Sequence, residues 1–211
     1  MSLITDRDLL LIEPSAFLHA AAAATKVLSA ADAVIAGTTL SSASSDFVAG
    51  GITAGQVAVV AGEALEIVVR LSATSLTVSR ARRPGDAVIA PAPGTGLALA
   101  VWTFNRLIDD VEARLLESMR IDPEDAAAPL DAGAILNAQA VGRLISLLVT
   151  EQAFKAAAAH APTDESLAER AALHARRALS ARHATLAVLD LDGDGIADAT
   201  RRFNNCALLR D

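Results

Sequence analysis

The sequence predicts an α+β protein, a mainly α-helical bundle with an inserted small antiparallel β-barrel or sandwich. Apolar residues recur at helical spacing on both sides of the middle of the chain, which favours helices there. Residues 33–103 instead alternate short β-branched runs with Gly, Ser and Thr, a pattern typical of strands and turns. Hydrophobic residues make up 53% of the 211 residues but aromatic residues only 3%, and this composition suits closely packed, alanine-rich helices.

Residues 1–32 are predicted to form N-terminal helices. Thr5 and Asp6 can cap a short helix that runs through Ile12. Pro14 ends that helix, because its ring does not fit a helix interior. Ser15 can then cap a second helix, which the alanine-rich spacing predicts over residues 16–32.

Residues 33–103 are predicted to form the small β module. The β-branched runs at 57–60, 65–71 and 76–79 indicate strands, and turn residues separate them. The segments 88–90 and 97–104 are candidates for two more strands, and the Pro- and Gly-rich residues 91–96 indicate a loop. Five or six short strands in some seventy residues are typical of a small antiparallel barrel or sandwich.

Residues 104–189 are predicted to form a helical bundle of three helices. The first helix carries an apolar face, Leu107, Val111, Leu115 and Met119, and a polar face that includes Asp109, Asp110, Glu112 and Arg114. Pro123 ends it, and Asp131 is a plausible cap for the long second helix. The third helix is predicted over 163–189, with Arg176, Arg177 and Arg182 toward its C-terminus, where cations suit the helix dipole.

The charged and reactive residues give no positive signal for an enzyme. The four histidines, His19, His160, His174 and His183, match no zinc or nucleophile motif and are interpreted as exposed helix residues. The single cysteine, Cys206, is interpreted as a small buried side chain. We therefore expect neither catalytic residues nor an organic cofactor.

Composition also argues against a nucleic-acid or membrane role. The net charge is −7, and the cluster Arg80, Arg82 and Arg83 is interpreted as a solvated loop. The first residues carry acids where a signal peptide carries bases, and the longest apolar stretch includes His19 and Lys26. We expect a soluble protein made in the cytoplasm.

The acidic loop, residues 190–198 within VLDLDGDGIADATRR, has the oxygen spacing that calcium prefers. The pattern D-x-D-x-D-G-x-x-D supplies the carboxylates of Asp190, Asp192, Asp194 and Asp198 and the backbone carbonyl of Ile196. The sequence predicts a bound structural calcium ion, with an empty polar turn as the alternative. Residues 190–211 are then this loop followed by a C-terminal arm, residues 199–211, predicted as an extended arm or an added strand that reaches a partner.

This loop resembles the calcium loops of EF-hand, dockerin and FG-GAP proteins. An EF-hand requires a bidentate Glu at position 12, where this chain has Arg201. The FG-GAP version ends at position 9 and fits better, but it recurs in propeller blades and occurs once here. The resemblance therefore covers a loop and not a fold.

The β module resembles one found in structural proteins of tailed bacteriophages and prophages. The similarity lies in GTTLSSASSDFVAGGITAGQVAVV and LEIVVRLSATSLTVS, about fifty residues, and the order of helices, β module and helices is similar to head–tail connector (adaptor, neck) proteins, also found in gene-transfer particles. This resemblance implies a virion structural protein that forms a homo-oligomeric, dodecameric ring. Its implied partners are the portal protein and a tail-side neck or terminator protein, with DNA passing through unbound.

Two other functions fit the same residues. The acidic loop alone would suit a calcium-binding protein-interaction module outside any virion, although an exported module would need a signal that the chain lacks. A metal-dependent hydrolase has only the Asp cluster in its favour.

Overall fold

The computed structural model describes residues 2–119 and 132–203, so the predictions made for Pro123, Asp131 and Cys206 lie outside the described residues. The helices are α1 (Asp6–Ile12), α2 (Ala16–His19), α3 (Asn105–Ser118), α4 (Ala138–His160) and α5 (Glu165–Ala184). The strands are β1 (Thr25–Ala36), β2 (Thr39–Ser41), β3 (Val57–Val60), β4 (Glu63–Arg70), β5 (Ser75–Ser79), β6 (Gly94–Thr103), β7 (Leu186–Leu189) and β8 (Ala199–Arg202).

The first six strands close into a barrel. Their order around it is β1-β2-β5-β4-β3-β6, and every neighbouring pair is antiparallel. Alternate side chains point inward and form a separate apolar core that includes Leu40, Leu65, Leu76 and Val101. The closure between β1 and β2 covers only Val34–Ala36, so residues 25–33 of β1 pair with β6 on one edge.

The prediction of a mainly α-helical bundle with a small inserted β module is wrong. Of the described residues, 27% are in strands and 39% are helical, so helices do not dominate and the barrel is a main element. The error begins at Thr25, because residues 25–32 were predicted as helix and belong to β1. Strand β1 pairs with β6 through three register shifts, which hide the alternation expected of a strand. Tertiary pairing here overrides the helix propensity of alanine.

The other strand predictions differ in accuracy. The strand at 57–60 is found with those bounds, and β4 and β5 lie within two residues of the predicted ends. Residues 88–90 do not form a strand. The Ile89 amide donates to the Ser79 hydroxyl, and the Ile89 carbonyl accepts from the Arg80 amide. Strand β6 begins at Gly94, inside the predicted loop.

The helices form a second core beside the barrel. Phe17, Phe104, Leu144 and Phe154 are fully buried in it, and Phe17 packs edge-on against Phe104 with ring centroids 5.1 Å apart. The apolar face predicted for α3 is buried at Val111, Leu115 and Met119. Glu112, predicted on the exposed face, is also buried. The N-terminal segment crosses α3 at this point, and Glu112 accepts hydrogen bonds from the Leu3 amide and the Ser2 hydroxyl.

Helix α1 is fixed to the barrel by a buried ion cluster. Glu66 of β4 is only 3% exposed, and its carboxylate lies 3.1 Å from Arg7 Nε and 3.2 Å from Arg82 Nε. The Arg7 amide also donates to the Gly55 carbonyl at 2.9 Å. Arg82 is therefore a buried partner of Glu66, and its assignment to a solvated cluster is wrong. The sequence pattern does not indicate this pairing, because Arg7, Glu66 and Arg82 lie on three segments that are far apart along the chain.

The C-terminal residues form a hairpin, β7–β8, packed on the helices. Residues 186–189 were predicted as the end of the third helix but form strand β7. This strand pairs with β8, and Leu189 also forms an isolated antiparallel bridge with Ile135. Phe203 follows β8 and is buried in the helical core. Residues 199–202 are therefore a strand paired within this chain and not an extended arm. Contact of this segment with a partner stays a prediction, and residues 204–211 lie outside the described residues.

Replacing Glu66 with Gln is expected to lower the free energy of unfolding by about 3 kcal/mol, because two largely buried guanidinium groups lose their counter-charge. The matched control is Glu63→Gln on the same strand, whose ion pair with Arg80 is exposed and should matter by less than about 1 kcal/mol. Urea unfolding of the purified variants measures both. Equal losses in the two variants would contradict the role assigned to Glu66.

Candidate functional site

The acidic loop connects β7 to β8 and brings three carboxylates together. One carboxylate oxygen each from Asp190, Asp192 and Asp194 lies within 4.8 Å of the others. Asp190 is buried, whereas Asp192 and Asp194 are exposed. Three clustered carboxylates offer hard oxygen ligands, which suit divalent cations such as Ca²⁺, Mg²⁺ or Mn²⁺ without selecting one of them.

Backbone amides of the loop hold this arrangement. The Gly195 and Gly193 amides each donate to Asp190 at 2.7 Å, and the Ile196 amide donates to Asp194 at 2.7 Å. The Gly195 amide is the largest cause that keeps the pKa of Asp190 below its usual range, because it stabilises the ionised form. Gly193 and Gly195 have φ values of +80° and +82°, a conformation in which a side chain would be strained. The glycines thus shape the loop around the ionised carboxylate of Asp190.

The other two predicted ligands have different surroundings. The Asp198 carboxylate accepts a hydrogen bond from the Leu191 amide at 2.7 Å, and the Asp198 amide donates to the Leu189 carbonyl. Asp198 therefore closes the base of the loop and is outside the three-carboxylate cluster. Coordination by Asp198 and by the Ile196 carbonyl stays a prediction.

The hairpin that carries the loop is firmly attached to the helices. Ala187 and Leu189 of β7 are fully buried, and the Asn137 side chain binds both the Leu186 carbonyl and the Val188 amide. Asn137 directly precedes α4, and Thr185 joins α5 to β7. The acidic loop therefore lies at the end of β7 that is farther from α5, and the Asp190 amide there donates to the Ala134 carbonyl.

His174 is fully buried, so its assignment to an exposed helix face is wrong. Its ring stacks on Phe154 with centroids 5.1 Å apart, and its Nε2 lies 3.3 Å from Glu13 Oε2. Burial lowers the pKa of His174, and the Glu13 carboxylate opposes that change only in part. His174 shares the buried face of α5 with Leu167, Ala171 and Ala178, so helical spacing could have located it. The other three histidines are exposed.

The residues around His174 do not form a nucleophile–base pair. The Ser15 hydroxyl donates to Glu13 and accepts from Arg170 Nη1 at 2.5 Å. Glu13 thus lies between the serine and the histidine, whereas base-assisted catalysis requires direct contact between those two. The arrangement connects the end of α1 to α5.

The motif DFVAGGITAGQVAVV, which carries the phage resemblance, contributes strand β3 and the loop before it to the barrel. Phe47 and Ile52 are fully buried in the barrel core, and Arg70 Nη1 donates to the Ile52 carbonyl at 2.8 Å. The Asp46 carboxylate accepts hydrogen bonds from the Val48 and Ala49 amides, both at 2.9 Å. These residues are explained by barrel packing.

A cleft of about 240 Å³ lies where α1, the barrel and α3 meet. Asp6 lines it and is 1% exposed, and its Oδ1 accepts a hydrogen bond from the Phe104 amide at 2.8 Å. Burial raises the pKa of Asp6 to about 6, and the hydrogen bonds with Phe104 and Thr103 offset only part of that rise. Sequence analysis predicted a capping role for Asp6 and did not predict the cleft, because its lining residues come from three separated segments.

No family model, curated protein or solved structure matches this chain. Among the helices in residues 2–119 and 132–203, none is both long and apolar enough to cross a bilayer.

Asp6 is expected to make the protein less stable as pH rises from about 4 to about 6. Folded Asp6 keeps its proton to a higher pH than the unfolded chain does, so in this range the folded state binds more protons. Relative to Asp6→Asn, the wild-type free energy of unfolding should fall by about 3 kcal/mol across that window. Urea unfolding at a series of pH values measures the difference. Asp110→Asn, an exposed control, should keep the wild-type slope, and parallel curves for wild type and Asp6→Asn would contradict the assignment.

Proposed function

We propose that this chain is a non-enzymatic structural protein, a head–tail connector that forms a ring between the portal and tail-side neck components of a tailed bacteriophage, prophage or gene-transfer particle. The resemblance of the β module to phage structural proteins supports this proposal, and the residues that carry it belong to the closed barrel. The net charge of −7 also suits a conduit through which DNA passes without being held.

The structural observation that favours self-assembly is an apolar surface, the barrel-end patch, formed by Val48, Val69 and Leu71. These side chains are 54%, 44% and 56% exposed. They belong to the same end of the barrel, because the Phe47 amide donates to Ala73 in the β4–β5 turn and Arg70 donates to the Phe47 carbonyl. Exposed apolar side chains on segments that meet at one end of a barrel are available for contact with another protein chain.

Barrel closure restricts how such a contact can form. Most strand edges of the closed barrel are paired within the chain, so side chains are the proposed means of contact between barrels. A ring requires each subunit to present two different surfaces to its neighbours. The barrel-end patch is proposed as one of them, and the helices are left to contact the portal.

The double substitution Val48→Glu/Leu71→Glu is expected to convert the ring into monomers, because it places two charges in a desolvated contact. Light scattering coupled to size-exclusion chromatography measures the mass. Leu179→Glu, which changes a similarly exposed leucine on α5, is the control and should leave the ring intact. A wild-type protein that stays monomeric and binds neither portal nor tail proteins would exclude the connector function.

We also propose that the acidic loop binds a structural divalent cation, with calcium as the first ion to test. The clustering of Asp190, Asp192 and Asp194 favours this role. By neutralising the cluster, a bound ion would hold the loop in one conformation at the end of the β7–β8 hairpin. Its role would be structural.

Calcium is expected to raise the melting temperature of the wild-type protein and to release or absorb heat on titration, because an ion that binds only the folded state stabilises it. Asp192→Asn/Asp194→Asn should abolish both effects. A control of equal charge change, Asp110→Asn/Glu117→Gln on α3, should retain them. If Ca²⁺, Mg²⁺ and Mn²⁺ all leave melting and heat unchanged, the loop is a polar turn without a metal.

A further inference from the structure

His174 is a titratable residue that is buried without a hydrogen-bond partner. Its side chain is fully enclosed, and among the described contacts neither ring nitrogen makes a hydrogen bond. The neutral ring has one N–H group, whereas the protonated ring has two N–H groups and a positive charge. Burying a polar group without a hydrogen bond is costly, and the cost is far larger for a charge. The site therefore favours the neutral ring.

Helix α4 presents an aromatic surface to His174. The Phe154 ring stacks on the imidazole with an angle of 4° between the two planes. The Arg170 guanidinium also lies over Phe154, 5.9 Å from the ring centroid. The only carboxylate of α4, Glu151, forms an ion pair with Lys155 on the same helix. Helix α4 therefore brings an apolar ring to His174, and its own carboxylate is already paired.

The carboxylate that faces the imidazole belongs to Glu13, which caps the C-terminus of α1. Its Oε2 lies 3.3 Å from Nε2 of His174. Its Oε1 accepts a hydrogen bond from the Ser15 hydroxyl and lies 3.8 Å from Arg170 Nη1. The negative charge of Glu13 is thus already shared with a guanidinium when the imidazole is neutral.

Positive charge outweighs negative charge around the imidazole. Arg170 and Arg177 lie one helical turn before and after His174 on α5, and both act on it as like charges. Glu13 is the carboxylate that opposes them. On the α2 side, His19 acts on Asp164 at the other end of α5. A protonated His174 would therefore be a third cation beside one shared anion.

We propose that His174 is a pH-sensitive contact, which holds α5 against the end of α1 while the imidazole is neutral and releases it when the imidazole takes up a proton. The protonated ring gains water only if α5 moves away from Phe154 and Glu13. Histidine suits such a contact, because its ordinary pKa of about 6.5 lies close to neutral pH. The contact does not depend on the connector function or on the acidic loop.

The direction of the pH effect follows from the difference between the closed and open forms. Burial lowers the pKa of His174 in the closed form, Glu13 opposes this in part, and Arg177 and Arg170 add to the lowering. In the open form the ring is hydrated and titrates near about 6.5, so the open form binds more protons below that pH. Opening therefore becomes easier in acid, by up to about tenfold for each pH unit.

The test measures hydrogen exchange of the full chain between about pH 7.5 and about pH 5, expressed as protection factors so that the intrinsic pH dependence of exchange is removed. Protection of the α5 amides around His174 is expected to fall in acid, whereas strands β3 and β4 of the barrel should keep theirs. An α5 protection that does not fall, or an equal fall in the barrel, would overturn the proposal.

An NMR titration of the four histidines measures the pKa of His174 directly. This pKa should lie below those of the exposed residues His19, His160 and His183. His174→Gln should lose the acid-dependent fall in α5 protection, whereas His160→Gln should keep it. A His174 pKa at or above those of the exposed histidines would overturn the proposal.

A second pair of variants tests the proposal without changing the buried ring. Arg177→Gln removes a like charge, so it should raise the pKa of His174 and reduce the fall in α5 protection. The matched control is Arg176→Gln, which removes the same charge from the exposed position beside it and should leave both quantities unchanged. A purely structural role would not move the pKa. Equal effects of the two variants would contradict the proposal.

Asp6 on α1 titrates in an overlapping pH range with the opposite sign, because burial raises its pKa to about 6. The exchange measurement is therefore repeated in Asp6→Asn. The acid-dependent fall in α5 protection should be at least as large as in the wild-type chain. A fall that disappears in Asp6→Asn would assign the pH dependence to Asp6 and overturn the role of His174.

Discussion

The Glu66 carboxylate, buried between the guanidinium groups of Arg7 and Arg82, is the interaction on which the arrangement of the two cores depends. It connects α1, the barrel strand β4 and the loop after β5 at one point. A carboxylate buried among apolar side chains is costly unless it is paired, so the cluster favours the one docking geometry that pairs all three groups. The barrel and the helices share few other charged contacts of this kind among the described residues.

The cleft beside Asp6 depends on the docking of α1 against the barrel, whereas the acidic loop does not. Because α1 is held against the barrel, Asp6 is buried under the Phe104 amide and the cleft opens between α1, the barrel and α3. The acidic loop depends instead on the β7–β8 hairpin, which Asn137 and Phe203 fix to the helices. The cleft is thus formed by contacts between distant segments, whereas the acidic loop is formed within nine consecutive residues.

Sequence patterns succeeded where the structure is governed by neighbours along the chain. Thr5 caps α1 as predicted, the strand at 57–60 has the predicted bounds, and the apolar face of α3 is buried at Val111 and Leu115. The sequence patterns failed where contacts with residues far along the chain determine the structure. Residues 25–32 became a strand because β6 pairs with them, and His174 is buried because Phe154 and Glu13 surround it.

By itself, the sequence determined the acidic loop and its three clustered carboxylates, since glycine conformations and the spacing of Asp190, Asp192 and Asp194 are local properties. It also determined that a set of short strands would occupy the middle of the chain. Only the tertiary structure decided that the barrel is a main element, that Glu66 pairs with Arg7 and Arg82, and that Asp6 and Asp109 share a cleft. The physical reason is that burial and ion pairing depend on which distant segments come into contact. The spacing of residues along the chain does not indicate those contacts.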